Sequence, residues 1–168
     1  DRSIKALEQA MLEDSMIFLV TQKDLRIESP LRKDLYDVGT VAKVKQMLKL
    51  PNGTLRILVE GVERGRIEAY LEGQEFTTAT ISTFEKVTMV DTETEALMRT
   101  LITYFEKYAK ASSKITSETI DAISDLTDPS RLADVIASHL PFKISEKQDV
   151  LNIDNVKKRL DHLIIRLH

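Results

Sequence analysis

The chain has 168 residues, 42% of them hydrophobic and 30% charged, with no cysteine and a formal net charge of -3. This length fits one domain or two small ones with an ample core. The balance of 24 basic and 27 acidic residues argues against a dedicated nucleic-acid binder. The lack of cysteine excludes disulfides, thiolate metal sites and cysteine nucleophiles, and no apolar run is long enough to span a bilayer. We therefore expect a soluble, cytoplasmic protein without membrane contact.

The first predicted elements are a short helix and a strand. Apolar residues recur at helical spacing at Ile4, Leu7 and Met11. Asp1 and Ser3 are candidate caps for this helix. The compact apolar run 16–20 predicts a buried strand, and the polar stretch 23–33, which contains a proline, predicts a loop.

The clearest local pattern is a long β-hairpin. In its first arm, Ala42, Val44, Leu48 and Leu50 alternate with Lys43, Lys45, Met47 and Lys49. In its second arm, Leu55, Ile57 and Val59 alternate with Arg56, Leu58 and Glu60. Asn52-Gly53 between the arms predicts a type I′ turn, in which both central residues have positive φ. Two further strands are predicted around 65–71 and 76–84, separated by Glu72-Gly73.

Glycine marks a change of architecture along the chain. All five glycines lie within the first 73 residues. Glycine serves the turns and bulges of strands, and its absence suits uninterrupted helices. We therefore predict a β-rich part over 1–90 and a helical part over 91–168, with the boundary near 86–91.

The helical part shows marked helix starts. Thr92 with Glu95 and Ser145 with Gln148 fit the capping box, Asp128-Pro129 supplies a cap followed by proline, and Asp154 is a fourth cap candidate. Apolar stripes behind these starts predict a helical bundle: Leu97, Leu101, Tyr104, Phe105 and Tyr108; Ile120, Ile123 and Leu126; Leu132, Val135, Ile136 and Leu140; Val156, Leu160, Leu163, Ile164 and Leu167. Pro141 ends the third of these helices. Because no Gly or Pro follows the last stripe, we expect that helix to continue in the parent protein.

No recognisable catalytic set is present. Gly61 and Gly65 are too close together for a phosphate loop and predict a bulge or a tight strand connection instead. His139, His162 and His168 form no metal-binding pair. His139 precedes Pro141 by two residues, so helix capping or packing is its expected role. We expect no catalytic residue, metal or cofactor in this chain.

The hairpin offers a candidate binding surface. On a regular alternation, Met47, Lys49, Arg56 and Leu58 share one face, opposite Leu48, Leu50, Leu55, Ile57 and Val59. Methionine adapts to varied partners, although a strand buried on both sides would give the same pattern. A loose basic stripe comprises Lys43, Lys45, Lys49, Arg56 and Arg64. It lacks interleaved aromatics for base stacking, so a solvated face is favoured over nucleic-acid binding.

Three segments carry a family resemblance that covers essentially the whole chain in order and spacing. They are DRSIKALEQAM, KQMLKLPNGTLRILVEGVERGRI and RLADVIASHLPFKISEKQDVLNIDNVKKRLDHL. Together they resemble the N-terminal domain of bacterial Lon, an ATP-dependent serine protease of the AAA+ family. The resemblance implies an α+β fold, in which a β-rich, PUA-like subdomain with a short helix precedes an α-helical bundle.

The resemblance also implies a function. It implies substrate recognition and support of a homo-oligomer, typically a hexamer, with ATP and magnesium used only by modules later in the parent chain. The family domain normally opens with a strand pair that this chain lacks ahead of Asp1. We therefore expect a domain that is truncated or has lost this segment, with an open sheet edge that either pairs between molecules or frays.

We hypothesise a non-catalytic module that captures unfolded or damaged proteins for degradation. The candidate substrate-binding residues are Met47, Leu48, Leu50 and Leu58 on the hairpin, with Leu25 and Ile27 in the polar loop. They are chosen on physical grounds and are not carried over from the family. The alternatives are an RNA-binding PUA-like module and a purely structural oligomerisation spacer.

Overall fold

A computed structural model describes residues 2–168, which form two compact units over 2–84 and 85–168. The first unit contains α1 (Arg2–Leu12), β1 (Met16–Leu19), a 3₁₀ turn (Arg32–Asp34), β2 (Val38–Lys49), β3 (Leu55–Leu71) and β4 (Thr78–Thr83). The second contains α2 (Thr92–Ala111), α3 (Ser117–Ser124), α4 (Pro129–Ser138), α5 (Ile144–Asn152) and α6 (Val156–Leu167). The α+β fold class is therefore confirmed.

The strands of the first unit form one antiparallel sheet in the order β1-β2-β3-β4. The predicted strand over 16–20 is confirmed as β1. The separation of 55–60 from 65–71 is wrong, because β3 runs unbroken through both. Ala42 pairs with Gly61 and Val41 with Glu63, which leaves Val62 as the extra residue of a bulge. This bulge, predicted from the paired glycines, lets β3 bend where it was expected to stop.

The hairpin turn differs from the predicted type I′ turn. Gly53 has φ 83, whereas Asn52 is not among the described residues with positive φ. The Gly53 N–H donates to the Leu50 carbonyl at 3.0 Å, so the turn begins at Leu50 and places Pro51 at its second position. Proline fixes φ near -65° and favours such a turn. Pro51, which precedes Asn52, therefore determines the type of the turn.

The buried apolar side chains of β2 lie on one side of the sheet. Val38, Ala42 and Val44 of β2 are buried there, and Ala10 is the buried residue of α1. Ser3 lies inside α1, so its prediction as a cap is wrong, and the other candidate, Asp1, lies outside the described residues.

The second unit has a single buried cluster drawn from α2 to α6. Its buried members are Met98, Leu101, Phe105, Ala109, Ile123, Leu132, Ala133, Ile136, Ala137, Leu140, Val150, Leu160 and Leu163. Most residues of the four predicted stripes belong to this cluster or pack against it. α4 ends at Ser138 before Pro141, as predicted, and His139 is its C-cap with its ring centroid 6.3 Å from that of Phe105.

The sequence predicted the starts of α2, α4, α5 and α6 to within one or two residues. Asp128-Pro129 opens α4 as predicted, and the Asp128 carboxylate accepts from the N–H groups of Ser130 and Arg131. The cap of α2 is Asp91 where Thr92 was predicted. The cap of α6 is Asn155 where Asp154 was predicted.

The start of α5 also differs from the prediction. Its N-cap position is Lys143, whose backbone N–H donates to the Glu146 carboxylate at 2.7 Å. The predicted pair of Ser145 and Gln148 is therefore wrong as a capping box. A carboxylate accepts more strongly than an amide, so the neighbouring Glu146 takes the capping role.

Candidate functional site

The β2–β3 hairpin carries a bulge that changes which side chains share a face. Val44 pairs with Val59, and the next pair along the hairpin is Gln46 with Leu58. Lys45 is therefore an extra residue on β2 without a direct partner on β3. Beyond Lys45, every side chain of β2 lies on the face opposite to the one that a regular alternation assigns.

The bulge separates Met47 from the exposed leucines. Met47 pairs with Ile57, and Leu48 pairs with Arg56, so these two pairs lie on opposite faces of the hairpin. The interpretation that placed Met47 and Leu58 on one face, opposite Leu48, is wrong. Leu48 and Leu58 share a face instead, because paired residues in an antiparallel ladder project to the same side.

Four residues form what we call the hairpin patch: Gln46, Leu48, Arg56 and Leu58. Leu48 and Leu58 are diagonal neighbours, since the partner of Leu48 is two residues from Leu58 on β3. The exposed fraction of Leu48 is 55% and that of Leu58 is 58%. Diagonal neighbours lie about 7–8 Å apart, close enough for one bound side chain to contact both leucines.

The inner face of the hairpin is partly covered. Met47 and Ile57 are half-buried on this face. Lys49, paired with Leu55, also belongs to it, and its Nζ lies 3.3 Å from the Glu8 carboxylate of α1. Met47 therefore lies on the side of the sheet that α1 approaches, which favours a packing role over contact with a partner.

The other three candidate residues lie in a turn and a loop. Leu50 is half-buried in the hairpin turn. Leu25 is 68% exposed in the loop between β1 and the 3₁₀ turn, and Ile27 is half-buried there. The Gln22 side-chain amide donates to the carbonyls of Asp24 and Ile27, each at 2.6 Å, and so holds the loop closed around Leu25. Of the six candidates, the hairpin brings Leu48 and Leu58 together on one exposed face.

Carboxylates neutralise part of the predicted basic stripe. Lys45 lies 2.9 Å from Glu60, and Lys43 is the register partner of Glu60. The hydrogen bond from Lys45, together with the charges of Lys45 and Lys43, holds the pKa of Glu60 below its usual value. Lys49 is paired with Glu8. These lysines therefore do not form a continuous basic surface for a phosphate backbone.

Gln46 is the patch residue that sequence reasoning missed. A signal for it exists, because Val44 and Met47 are apolar residues three positions apart in a strand whose side chains alternate every second position. That spacing indicates one inserted residue. The partner strand alternates regularly at Leu55, Ile57 and Val59, so it gave no sign of the inserted residue in β2.

The described residues show two further properties. Across 2–168, no three His, Asp or Glu side chains are grouped so that they could hold a metal ion. None of the helices in this range is both long enough and apolar enough to cross a bilayer.

Solved structures support the fold. The structure superposes on the N-terminal domain of Mycobacterium avium complex Lon protease with a TM-score of 0.71 at 23% identity, covering 99% of this chain and 85% of that one. It superposes on a Lon N-terminal domain protein from Xanthomonas campestris with a TM-score of 0.54 at 16% identity, covering 89% and 88%. Both comparisons show the same overall fold.

Sequence comparisons show the family. The chain is 48% identical over 168 residues to the Lon protease of Brevibacillus choshinensis, covering all of this chain and 22% of that protein. It is 50% identical over 164 residues to Lon protease 1 of Bacillus subtilis, covering 98% and 21%. The chain thus spans about a fifth of the length of these relatives.

The family match accounts for every residue of the chain. The family described as the ATP-dependent protease La (LON) substrate-binding domain matches residues 1–168. No part of these 168 residues is left over for an ATPase or protease module. The chain belongs to the substrate-binding domain family of the ATP-dependent protease Lon.

Proposed function

We propose that this chain binds exposed apolar segments of unfolded or damaged proteins through the hairpin patch and presents them for degradation. The observation that carries the proposal is the pair of exposed leucines, Leu48 and Leu58, on one outward strand face. Apolar side chains grouped on an exposed surface and rimmed by polar ones are typical of a protein-binding site. The substrate-binding description of the family supports a polypeptide as the ligand.

The surroundings of the two leucines suit varied polypeptides. Arg56 and Gln46 flank them within the patch, and Lys43 with Glu60 continues the same face beyond the bulge. Groups of both charge signs therefore border an apolar centre, so no strong field of one sign selects a particular substrate. Binding at one such patch is weak, because an unfolded segment loses conformational entropy when it is held.

Assembly of the parent protein would compensate for weak single sites. We propose that the parent is a cytoplasmic homo-oligomer, a hexamer, that uses ATP and magnesium in modules outside this chain. The relatives that are proteases about five times as long support such further modules. Several copies of the patch in one assembly raise the effective concentration for a substrate that contacts two of them.

The test compares binding of a fluorescently labelled, reduced and unfolded protein to the 168-residue chain and to its variants. Leu48→Ser with Leu58→Ser is expected to weaken binding at least about fivefold, since two buried contacts are lost. Leu12→Ser is the matched control, because Leu12 is 81% exposed at the end of α1 and lies outside the patch. Equal affinity of the folded double variant and the wild type would refute the proposal.

The same assay separates the two alternatives. An RNA-binding module would bind RNA with an affinity that falls steeply with salt. An oligomerisation spacer would bind neither RNA nor unfolded protein. The pairing of Lys45 with Glu60 weighs against the first alternative.

A further inference from the structure

The outer edge of β4 is the open edge of the sheet that best fits another strand. β4 is the last strand in the order β1-β2-β3-β4, and within 2–84 no further strand pairs with its outer side. It has six residues, whereas β1, at the opposite edge, has four and contacts α1. β4 therefore presents the longer row of backbone donors and acceptors.

The composition of β4 lacks the usual protection of an edge strand. Residues 76–84 contain no charged residue and no proline, and the nearest charges are Glu75 and Glu85. Natural edge strands discourage pairing with other chains by carrying lysine, proline or a bulge. In this sheet the bulge of the β3–β4 pair lies on β3, where Glu68 is the extra residue, so β4 itself stays regular.

The hydrogen bonds to β3 show which backbone groups point outward. The Phe84 N–H donates to the Arg64 carbonyl at 3.2 Å, so Phe84 points towards β3. Backbone groups of successive residues in a strand alternate between the two sides. The residues of β4 whose N–H and C=O groups point outward are Ala79, Ile81 and Thr83.

We propose that two copies of this chain associate through β4, antiparallel, with Ile81 opposite Ile81 of the second copy. Ala79 then faces Thr83 of the second copy, and both present outward donors and acceptors. A register centred on Thr80 would place Glu75 against Glu85 of the second copy at both ends, and opposed like charges destabilise strand pairs. The register centred on Ile81 sets Glu85 against Thr77.

The contact is closed and small. Each copy contributes the same strand, so the two-fold arrangement leaves no second β4 edge available for further growth. Six residues on each side bury less surface than a stable dimer requires. The association is therefore weak and concentration-dependent, and it does not rest on the proposed substrate binding.

The test is sedimentation velocity of the 168-residue chain from micromolar to millimolar concentration, with two variants at one position. Thr83→Pro removes an N–H that points away from β3, so it leaves the ladder within the sheet intact. Thr83→Val is the matched control, since it also removes the hydroxyl but keeps the N–H. Circular dichroism confirms the folding of each variant.

We expect the wild type and Thr83→Val to dimerise alike and Thr83→Pro to dimerise at least about tenfold more weakly, because two hydrogen bonds per dimer are lost. Thr80→Lys, which adds a charge to the edge, is a second variant and should weaken the dimer as well. A wild-type chain that stays monomeric over the whole range would overturn the proposal. So would a folded Thr83→Pro or Thr80→Lys variant that dimerises as strongly as Thr83→Val.

Discussion

Gly39 and Gly65 lie directly opposite each other on β2 and β3, and the ring of Phe18 lies against both. A Cβ at Gly39 would meet the Leu19 carbonyl and would lie 2.9 Å from Phe18 Cζ. A Cβ at Gly65 would lie 2.6 Å from Ile81 Cγ2 and 3.1 Å from Phe18 Cε2. The glycine pair therefore makes the space in which β1 packs its aromatic side chain across the sheet.

Gly65→Ala should destabilise the first unit by about 1–3 kcal/mol, because the new methyl group overpacks the space between Ile81 and Phe18. The measurement is urea unfolding followed through amide resonances of the sheet residues. Gly61→Ala is the matched control on the same strand, since its Cβ would meet only Thr40 Cγ2 at 3.4 Å. We expect this control to be neutral or slightly stabilising, by up to about 1 kcal/mol. Equal stability of the two variants would show that the glycine pair has no such packing role.

The start of α2 should make stability depend on pH. Lys157 Nζ lies 2.6 Å from the Asp91 carboxylate, which also accepts from the Thr94 hydroxyl and N–H. The hydrogen bond from Lys157, followed by those from Thr94, holds the pKa of Asp91 well below its usual value. Because the folded pKa lies below the unfolded one, the stabilisation by Asp91 is complete above about pH 4 and is lost as pH falls further.

Asp91→Asn tests this relation, since asparagine can still cap the helix but carries no charge. The difference in unfolding free energy between wild type and variant should be constant from about pH 5 to pH 8 and should shrink below about pH 4. Thermal unfolding of the second unit at a series of pH values gives this difference. A difference that stays constant down to about pH 2 would contradict the role of the Asp91 charge.

Arg159 is a buried polar anchor of the second unit, with only 2% of its surface exposed. Its Nε and Nη2 donate to the Ile153 carbonyl at 3.0 and 2.5 Å, and its Nη1 donates to Ser130 Oγ at 3.0 Å. Arg159→Lys should cost about 2 kcal/mol or more, since an ammonium cannot supply this fork of donors. Lys158→Ala on the exposed side of α6 should change stability by less than about 0.5 kcal/mol. Urea unfolding of both variants, followed through α6 amide resonances, measures the contrast, and similar losses would contradict it.

The periodicity of apolar residues and the turn residues were sufficient to predict the α+β class and most of the helical core. They also predicted the strands of the first unit, except that β3 was divided into two. Long stripes such as that of α2 tolerate an error of one residue, because many side chains share in the pattern. The prediction of a cap tolerates no such error, because a single residue occupies the cap position. Asp91 and Thr92 are both good cap residues, and the hydrogen bond from the Thr94 N–H decides between them.

The candidate site was predicted only in part, because strand bulges decide which side chains share a face. One extra residue, Lys45, moves Met47 to the inner face and Leu48 to the outer one. Because side chains along a strand alternate between its two faces, one inserted residue moves all later side chains to the opposite face. The two leucines of the patch were therefore predicted from the sequence, whereas their grouping on one face with Gln46 and Arg56 depends on the register between β2 and β3.

Site-specific photo-crosslinking tests most directly whether the hairpin patch contacts substrate. p-Benzoylphenylalanine replaces Leu58 in the patch, Met47 on the inner face, or Leu12 as an exposed leucine outside the patch, and each chain is irradiated with a labelled unfolded protein. We expect strong crosslinking from position 58 that an excess of unlabelled unfolded protein abolishes, and weak crosslinking from positions 47 and 12. Crosslinking from position 12 or 47 that equals or exceeds that from position 58 would contradict substrate binding at this patch.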